Sequence, residues 1–176
     1  MRRTCQILAI LAIITVSLTG LSQGVPEKDA KFYYDQGADF LEKGQNARAV
    51  AQFDQAIQRD PKYALAYDLR GVAYYRSGYF NKALNDFNKA LTLNPKLELP
   101  YNYRGLIYSK KKYFSKAITE YNKAIKINPK YAVYYNNRGT AYYDIKAYDK
   151  AIADYNKAIQ LDPNFTVAYQ NRAKAY

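Results

Sequence analysis

The chain has 176 residues, 49% of them apolar and 24% charged, and its formal charge at neutral pH is +12. This composition is too apolar for an intrinsically disordered chain and fits one ordinary folded domain. Histidine is absent and Cys5 is the only cysteine, which excludes Cys/His metal sites and the usual pairs of a nucleophile with a histidine base.

The N-terminal segment differs from the rest of the chain and has the features of a secretory signal peptide. Arg2 and Arg3 give a positive start, residues 7–18 are uncharged and almost wholly apolar, and Ser22 and Gly24 place small residues before a possible cleavage point. The apolar stretch is shorter than the roughly 18 residues that a membrane-spanning helix requires. We therefore expect residues 1–24 to be a cleaved signal, which makes the protein secreted or periplasmic. The alternative is an uncleaved N-terminal segment that anchors the protein in a membrane.

After a short linker at residues 25–29, a period of 34 residues organises the chain. The period is carried by Pro61, Pro95, Pro129 and Pro163, each preceded by aspartate or asparagine. Positions with the same spacing are Gly37, Gly71, Gly105 and Gly139; Phe40, Tyr74, Tyr108 and Tyr142; Ala49, Ala83, Ala117 and Ala151; and Ala56, Ala90, Ala124 and Ala158. Such agreement over four copies is not a chance alignment, and periods of this length are typical of repeat architectures.

The pattern resembles the tetratricopeptide repeat, in which aromatic, glycine, alanine and proline positions recur over 34 residues. One full copy in this chain consists of Tyr135, Arg138, Gly139, Tyr142, Ala151, Tyr155, Ala158 and Pro163. Tyrosine replaces the usual tryptophan, and arginine replaces leucine before the glycine in every copy but the first. The resemblance implies an all-α fold, a right-handed superhelical solenoid of helix–turn–helix repeats.

We predict a repeat domain at residues 30–176, with two helices in each copy. Its four copies are residues 30–63, 64–97, 98–131 and 132–165, and a terminal helix spans residues 166–176. Proline ends the second helix of each copy because it restricts the preceding residue and cannot continue the helix. The break between the two helices falls near Gly44, Gly78, Lys112 and Ala147, so the later turns are expected to tolerate a side chain. The terminal helix is either a cap or the start of further repeats.

Every copy but the first carries an arginine before its glycine and an acidic residue 16 positions later. The pairs are Arg70 and Asp86, Arg104 and Glu120, and Arg138 and Asp154, whereas the first copy has Gln36 and Gln52. Because both members change together, we predict a structural ion pair between the two helices of each copy, where a guanidinium can hold a carboxylate bidentately. The functional alternative is an anion site at Arg172, whose acidic partner is missing.

The resemblance also implies a groove that binds a partner, because ligand contacts in the family come mainly from the first helix of each copy. The corresponding residues here are Tyr34, Leu41, Asp68, Val72, Tyr75, Asn102, Leu106, Lys110, Asn136, Thr140 and Tyr143. Amide groups can hydrogen-bond a peptide backbone, and tyrosine gives rigid contact area with a polar tip. The alternative is that apolar members such as Val72 and Leu106 only pack against neighbouring helices.

Some family members hold a C-terminal carboxylate with a clamp of lysine, asparagine and arginine. This chain has Tyr34 and Ala38 where that clamp begins, and Leu69 where an asparagine is needed. The clamp is not reproduced, so binding of a chaperone tail is not expected.

Lysines recur on the second helices of the second, third and fourth copies and should form stripes on the outer, convex face. They are Lys82, Lys116 and Lys150, and Lys89, Lys123 and Lys157. Such stripes suit an anionic membrane surface or nucleic acid, or they are simply a solvated helix face. Nucleic acid is not an expected partner of a secreted protein. Membrane contact is therefore expected only through residues 7–21 or through this basic convex face.

These features favour a non-catalytic scaffold that binds a protein or peptide segment in its concave groove. Acidic residues are dispersed by the repeat, no glycine-rich loop follows a strand, and serine and threonine have no candidate base except lysine. We therefore expect no enzymatic activity, no cofactor and no bound metal. The alternative function is electrostatic binding to an anionic membrane or polymer surface through the lysine stripes.

Overall fold

The computed structural model describes residues 29–176, so the predicted signal segment, residues 7–21 and Cys5 lie outside the described residues. Within this range the chain is all-α, as predicted, with nine helices and no strand. The helices are α1 (Ala30–Glu42), α2 (Asn46–Arg59), α3 (Ala64–Arg76), α4 (Phe80–Leu93), α5 (Glu98–Lys110), α6 (Phe114–Ile127), α7 (Ala132–Asp144), α8 (Tyr148–Leu161) and α9 (Thr166–Ala175). None of these helices is long and apolar enough to cross a membrane.

The helices pack as successive pairs that form a solenoid, in agreement with the predicted fold. The two helices of each pair contact each other, and the second helix of each pair also packs against the first helix of the next. First helices of neighbouring copies (α1, α3, α5, α7 and α9) contact one another, whereas among the described helices the second helices do not. The first helices therefore lie on the inner side of the curve and form its concave face.

Close packing within each copy explains the repeated glycine. A Cβ atom added at Gly105 would lie 2.5 Å from Cε1 of Tyr121, and one added at Gly71 would lie 2.6 Å from Cε1 of Phe87. These aromatic side chains of the second helix are fully buried, with exposed fractions of 1% and 0%. The absence of a side chain at the glycine lets the ring fill the space between the two helices.

Each second helix ends at an aspartate or asparagine whose side chain forms a local turn. Asp60 Oδ1 accepts a hydrogen bond of 2.8 Å from the backbone N–H of Lys62, and Asn94 Oδ1 accepts one of 3.1 Å from Lys96. This side-chain turn offers the backbone an alternative to further helix, and the intervening proline has no N–H to continue it. Each copy therefore ends at the same point of the repeat.

The turns between the two helices of a copy correct one expectation from the sequence. Gly44 and Gly78 have φ angles of 71° and 81°, and Lys112 and Lys146 have φ angles of 62° in the third and fourth copies. The fourth turn is thus centred on Lys146 rather than Ala147, and the later turns keep the left-handed conformation that disfavours a side chain. The reason is a backbone hydrogen bond that recurs in the turn of each copy, such as the bond of 2.8 Å from Tyr113 N–H to Tyr108 O. This bond is typical of an α-helix that ends with one residue in the left-handed conformation.

Candidate partner-binding groove

The concave face carries the residues that the sequence predicts for a groove, at three levels of burial. Leu41, Asp68, Val72, Asn102 and Asn136 are buried; Tyr34, Tyr75, Leu106 and Tyr143 are half-buried; Lys110 and Thr140 are exposed. Leu41 and Val72 belong to the hydrophobic core that the first copies share. The face is therefore partly a packing interface between copies and partly an accessible surface.

Two asparagines on this face form a ladder between successive first helices. Asn102 Oδ1 accepts a hydrogen bond of 2.9 Å from Nδ2 of Asn137, and Asn136 Oδ1 accepts one of 3.0 Å from Nδ2 of Asn171. Both acceptors are only 6% exposed. These amide oxygens thus join neighbouring copies, and the donors Asn137 and Asn171 were not singled out from the sequence, although their shared spacing of 35 residues is visible there.

Asp68 occupies the same position one copy earlier, where the ladder is broken. The residue that would donate to it by this register is Tyr103, in place of an asparagine. Asp68 is 2% exposed, and no donor among the described residues reaches its Oδ1. Burial raises the pKa of Asp68 to about 7, and the negative charge of Glu98 adds to the shift. Among the polar groups of this face, the Asp68 carboxyl is therefore one that is buried without a donor to Oδ1 from the described residues.

Tyrosine rings pack against each other along the concave face. The ring centroids of Tyr34 and Tyr63 lie 5.0 Å apart, and those of Tyr75 and Tyr103 lie 5.1 Å apart. Tyr103 also stacks on Phe87, with centroids 5.5 Å apart. Contacts of this kind hold the rings in place, so they present a preformed aromatic surface rather than mobile side chains.

Exposed apolar residues accompany this aromatic surface. Leu65 is 39% exposed and lies three residues before Asp68 on α3, and Leu99 is 36% exposed and lies three residues before Asn102 on α5. Residues three apart share a helix face, so both leucines lie on the same side as the buried polar residues. A cluster of exposed apolar side chains beside polar groups is typical of a surface that binds a partner.

The arginine side chains lie against the acidic residues that the sequence pairs with them. Arg70 donates from Nε and Nη2 to the two oxygens of Asp86 over 2.8 and 2.7 Å, and Arg138 does the same to Asp154 over 2.8 and 2.6 Å. Arg104 Nε lies 3.0 Å from Glu120 Oε2 without an aligned hydrogen bond. The copies with aspartate therefore have bidentate pairs, and the copy with glutamate has a looser one.

Arg70 and Arg138 also contact the second helix of the preceding copy. Arg70 Nη1 donates to Asp54 over 2.6 Å, and Arg138 Nη1 donates to Asn122 over 2.7 Å. Arg172 makes the equivalent contact with Asn156, at 2.6 Å. Each of these arginines thus stabilises the junction between copies, a role that the pairing within one copy did not indicate.

The lysines predicted to form stripes lie on second helices, and several of them approach tyrosine rings. Lys82 Nζ is 5.3 Å from the ring centre of Tyr79, and Lys116 Nζ is 5.4 Å from that of Tyr113. Contacts at this distance are weak cation–π interactions at an exposed site. The described residues contain no group of histidine, cysteine or acidic side chains that could hold a metal ion.

Comparison with known protein families finds repeat models along the chain. Models described as tetratricopeptide repeat match residues 64–97 and 132–165, and one described as TPR repeat matches residues 37–78 and 113–146. No curated protein sequence matches the chain.

Several solved structures have a similar fold. The crystal structure of MamA protein is 28% identical, with a TM-score of 0.73 over 84% of this chain and 80% of that one. The first TPR of Spaghetti (RPAP3), bound to the HSP90 peptide SRMEEVD, is 26% identical, with a TM-score of 0.62 over 66% of this chain and 92% of that one. The pilF protein of Pseudomonas aeruginosa, at 20% identity and a TM-score of 0.77, covers 83% of this chain and 67% of its own and resembles it in fold alone.

Proposed function

The chain belongs to the tetratricopeptide repeat family, and from this premise we propose that its concave groove binds an extended or helical segment of a protein partner. It acts as an interaction scaffold and has no catalytic role. The observation that carries the proposal is the pair of exposed leucines, Leu65 and Leu99, beside the buried polar residues of the inner face. A surface of aromatic and aliphatic side chains with a few placed polar groups suits peptide recognition.

A structural relative supports this use of the fold. The first TPR of Spaghetti (RPAP3) holds a peptide, and it covers two thirds of the present chain. The groove of this chain has Tyr34, Ala38 and Leu69 in place of the carboxylate clamp of some family members. Its partner is therefore expected to differ chemically from an acidic C-terminal tail.

The experiment begins with affinity capture of partners from the compartment in which the protein resides, followed by identification by mass spectrometry. The captured partner is then tested against the groove variant Leu65→Ser/Leu99→Ser. Ile145→Ser is the matched control, because Ile145 is also apolar and exposed, at 44%, but lies at the end of α7 in the turn before α8. We expect the groove variant to lose binding and the control to keep it. Equal binding by both variants contradicts the groove proposal.

The rival proposal is electrostatic binding through the lysine stripes on the second helices. It is favoured by the exposure of Lys82, Lys116 and Lys150 in equivalent positions of three copies. Raising the salt concentration to about 0.3 M shortens the screening length and should abolish such binding, whereas groove binding should persist. The variant Lys82→Glu/Lys116→Glu/Lys150→Glu should lose binding only if the rival is correct.

We also propose that the protein works outside the cytoplasm, on the basis of the composition of residues 1–24. Mass spectrometry of the protein isolated from its own cells tests this directly. A mature N-terminus close to residue 25 is expected, and an intact N-terminus would favour the membrane anchor instead.

A further inference from the structure

Building on the proposed groove, we propose that it recognises a basic peptide segment, with a lysine or arginine side chain of the partner held by Asp68 and Glu98. Asp68 lies on the concave face of α3, is 2% exposed, and has no hydrogen-bond donor to its Oδ1 among the described residues. Two copies further along the same face, the equivalent residue Asn136 does have a donor. The position thus suits a polar contact that the described residues do not complete at Asp68.

The groups around Asp68 come from three other first helices. Tyr34 of α1, Tyr103 of α5 and Tyr134 of α7 all lie within electrostatic range of the Asp68 carboxylate. Glu98, the first residue of α5, is the second negative group at this place and acts on both Asp68 and Tyr134. Acidic and aromatic groups therefore converge on one point of the groove.

The basic residues near this point contact groups other than the Asp68 carboxylate. Arg76 approaches Tyr103 but donates from Nη1 to the carbonyl oxygen of Leu41 over 2.8 Å. Lys31, on α1, forms an ion pair with Asp35. Among the described residues, Glu98 is the charged group that adds to the raised pKa of Asp68. None of the described residues supplies a positive charge to Asp68, and we infer that a partner supplies it.

Physical chemistry indicates which positive group fits. A buried carboxylate without a partner destabilises the fold, which is consistent with the raised pKa of Asp68, and a cation restores the missing interaction. Tyrosine rings attract cations through their faces. The exposed leucines Leu65 and Leu99 provide apolar surface for a hydrocarbon stem. Lysine and arginine combine such a stem with a cationic head, whereas a free metal ion would make no favourable contact with the apolar surface.

The low exposure of Asp68 implies a small rearrangement on binding. A cationic head reaches the carboxylate only when neighbouring side chains rotate, and rotamer changes of this kind are common at interfaces that otherwise move little. The relative that binds the peptide SRMEEVD accommodates a segment with several carboxylates. Carboxylates brought to Asp68 and Glu98 would repel them, so the present groove should disfavour a peptide of that kind.

The test is a selection of random displayed peptides, about 12 residues long, on the immobilised full chain. Selected peptides are synthesised, and their dissociation constants are measured for the protein and its variants. Asp68→Asn removes the charge and keeps the shape, and Glu98→Gln does the same at the second carboxylate. Asp149→Asn is the matched control, since Asp149 is an exposed acid in the first turn of α8. Circular dichroism establishes that each variant is folded.

We expect the selected peptides to be enriched in lysine or arginine. Asp68→Asn should weaken their binding by about tenfold or more, Glu98→Gln by a smaller factor, and Asp149→Asn by less than about twofold. Replacing the basic residue of the peptide by its neutral norleucine analogue should remove the difference in affinity between the parent protein and the Asp68→Asn variant, because the two changes act on one contact.

Two other outcomes overturn the inference and are distinguishable from each other. The selection could enrich neutral or acidic peptides whose binding is still lost in Leu65→Ser/Leu99→Ser. This result would support the groove function and exclude a cation site at Asp68. Peptides that bind equally well to Leu65→Ser/Leu99→Ser, or no enrichment of any peptide, would contradict the groove function and the inference together.

Discussion

Asn102 accepts a hydrogen bond of 2.9 Å from Asn137 and so joins the first helices of two successive copies. The same bond recurs between Asn136 and Asn171 one copy later. One copy earlier the register places Asp68 opposite Tyr103, and the amide ladder is replaced by a buried carboxylate. The solenoid thus has a regular inner seam with one irregular position, and that position is where we expect a partner to contribute.

The first prediction concerns pH and the stability of the fold. The folded-state pKa of Asp68 is raised from 3.8 to about 7, so the folded protein binds this proton more tightly than the unfolded chain. The contribution of this proton to the free energy of unfolding is fully present below pH 3.8 and is lost as the pH rises through about 7. Asp68→Asn should therefore raise the free energy of unfolding by roughly 1–3 kcal/mol above neutral pH and have little effect in acid.

Urea unfolding at several pH values measures this difference. Asp149→Asn, at an exposed site, should leave the pH profile unchanged. A variant Asp68→Asn that is less stable than the parent at high pH would show that the carboxylate has an intramolecular partner after all.

The second prediction concerns the bidentate pair of Arg138 and Asp154. Arg138→Leu leaves a buried carboxylate without its partner and should lower the free energy of unfolding by about 2–4 kcal/mol. The double variant Arg138→Leu/Asp154→Leu should be more stable than the single variant, because no charge is left unpaired. Thermal unfolding of the parent, both single variants and the double variant gives the coupling energy.

Lys43→Ala is the control for this cycle. This substitution removes the ion pair between Lys43 and Asp39, and both of these side chains are about half accessible to solvent. It should therefore change the free energy of unfolding by less than about 0.5 kcal/mol. A double variant less stable than either single variant would contradict the account of a pair whose members depend on each other.

The third prediction concerns the contact between Gly105 and Tyr121. A Cβ atom at residue 105 would approach the Tyr121 ring to 2.5 Å, and Tyr121 is only 1% exposed. Gly105→Ala should therefore cost about 1–3 kcal/mol by overpacking. The same substitution made in a Tyr121→Leu background should cost less, which separates steric overlap from other effects. Equal costs in both backgrounds would exclude the ring as the cause.

Much of the fold could be predicted because the residues that recur every 34 positions are those whose packing or backbone conformation allows few residue types. The glycine opposite a buried ring tolerates no side chain, and the joint change to Gln36 and Gln52 in the first copy indicates the arginine–acid pairs. Contacts between copies were harder to foresee, because they depend on how far each copy is rotated relative to the next. The asparagine ladder and the contact of Arg70 with Asp54 are of this kind. The groove residues remain predictions of partner contact.

The turn at Lys112 was mispredicted, since the sequence suggests that a lysine avoids the left-handed conformation. The helix-end hydrogen bonds of the preceding helix enforce that conformation whichever residue is present. From this follows the fourth prediction: Lys112→Gly should stabilise the fold by about 0.5–1 kcal/mol, because glycine adopts a φ of 62° without strain. Urea unfolding measures the gain, and Lys111→Gly, one residue earlier and with φ of −81°, should not share it.

Hydrogen exchange of the protein with and without a selected peptide tests the central claim most directly, since it reports which helices the peptide covers. We expect slower exchange in α1, α3, α5 and α7, strongest around Asp68 and Leu99, and little change in α2, α4, α6 and α8. Protection confined to the second helices would contradict the concave groove and would favour the lysine stripes as the binding surface.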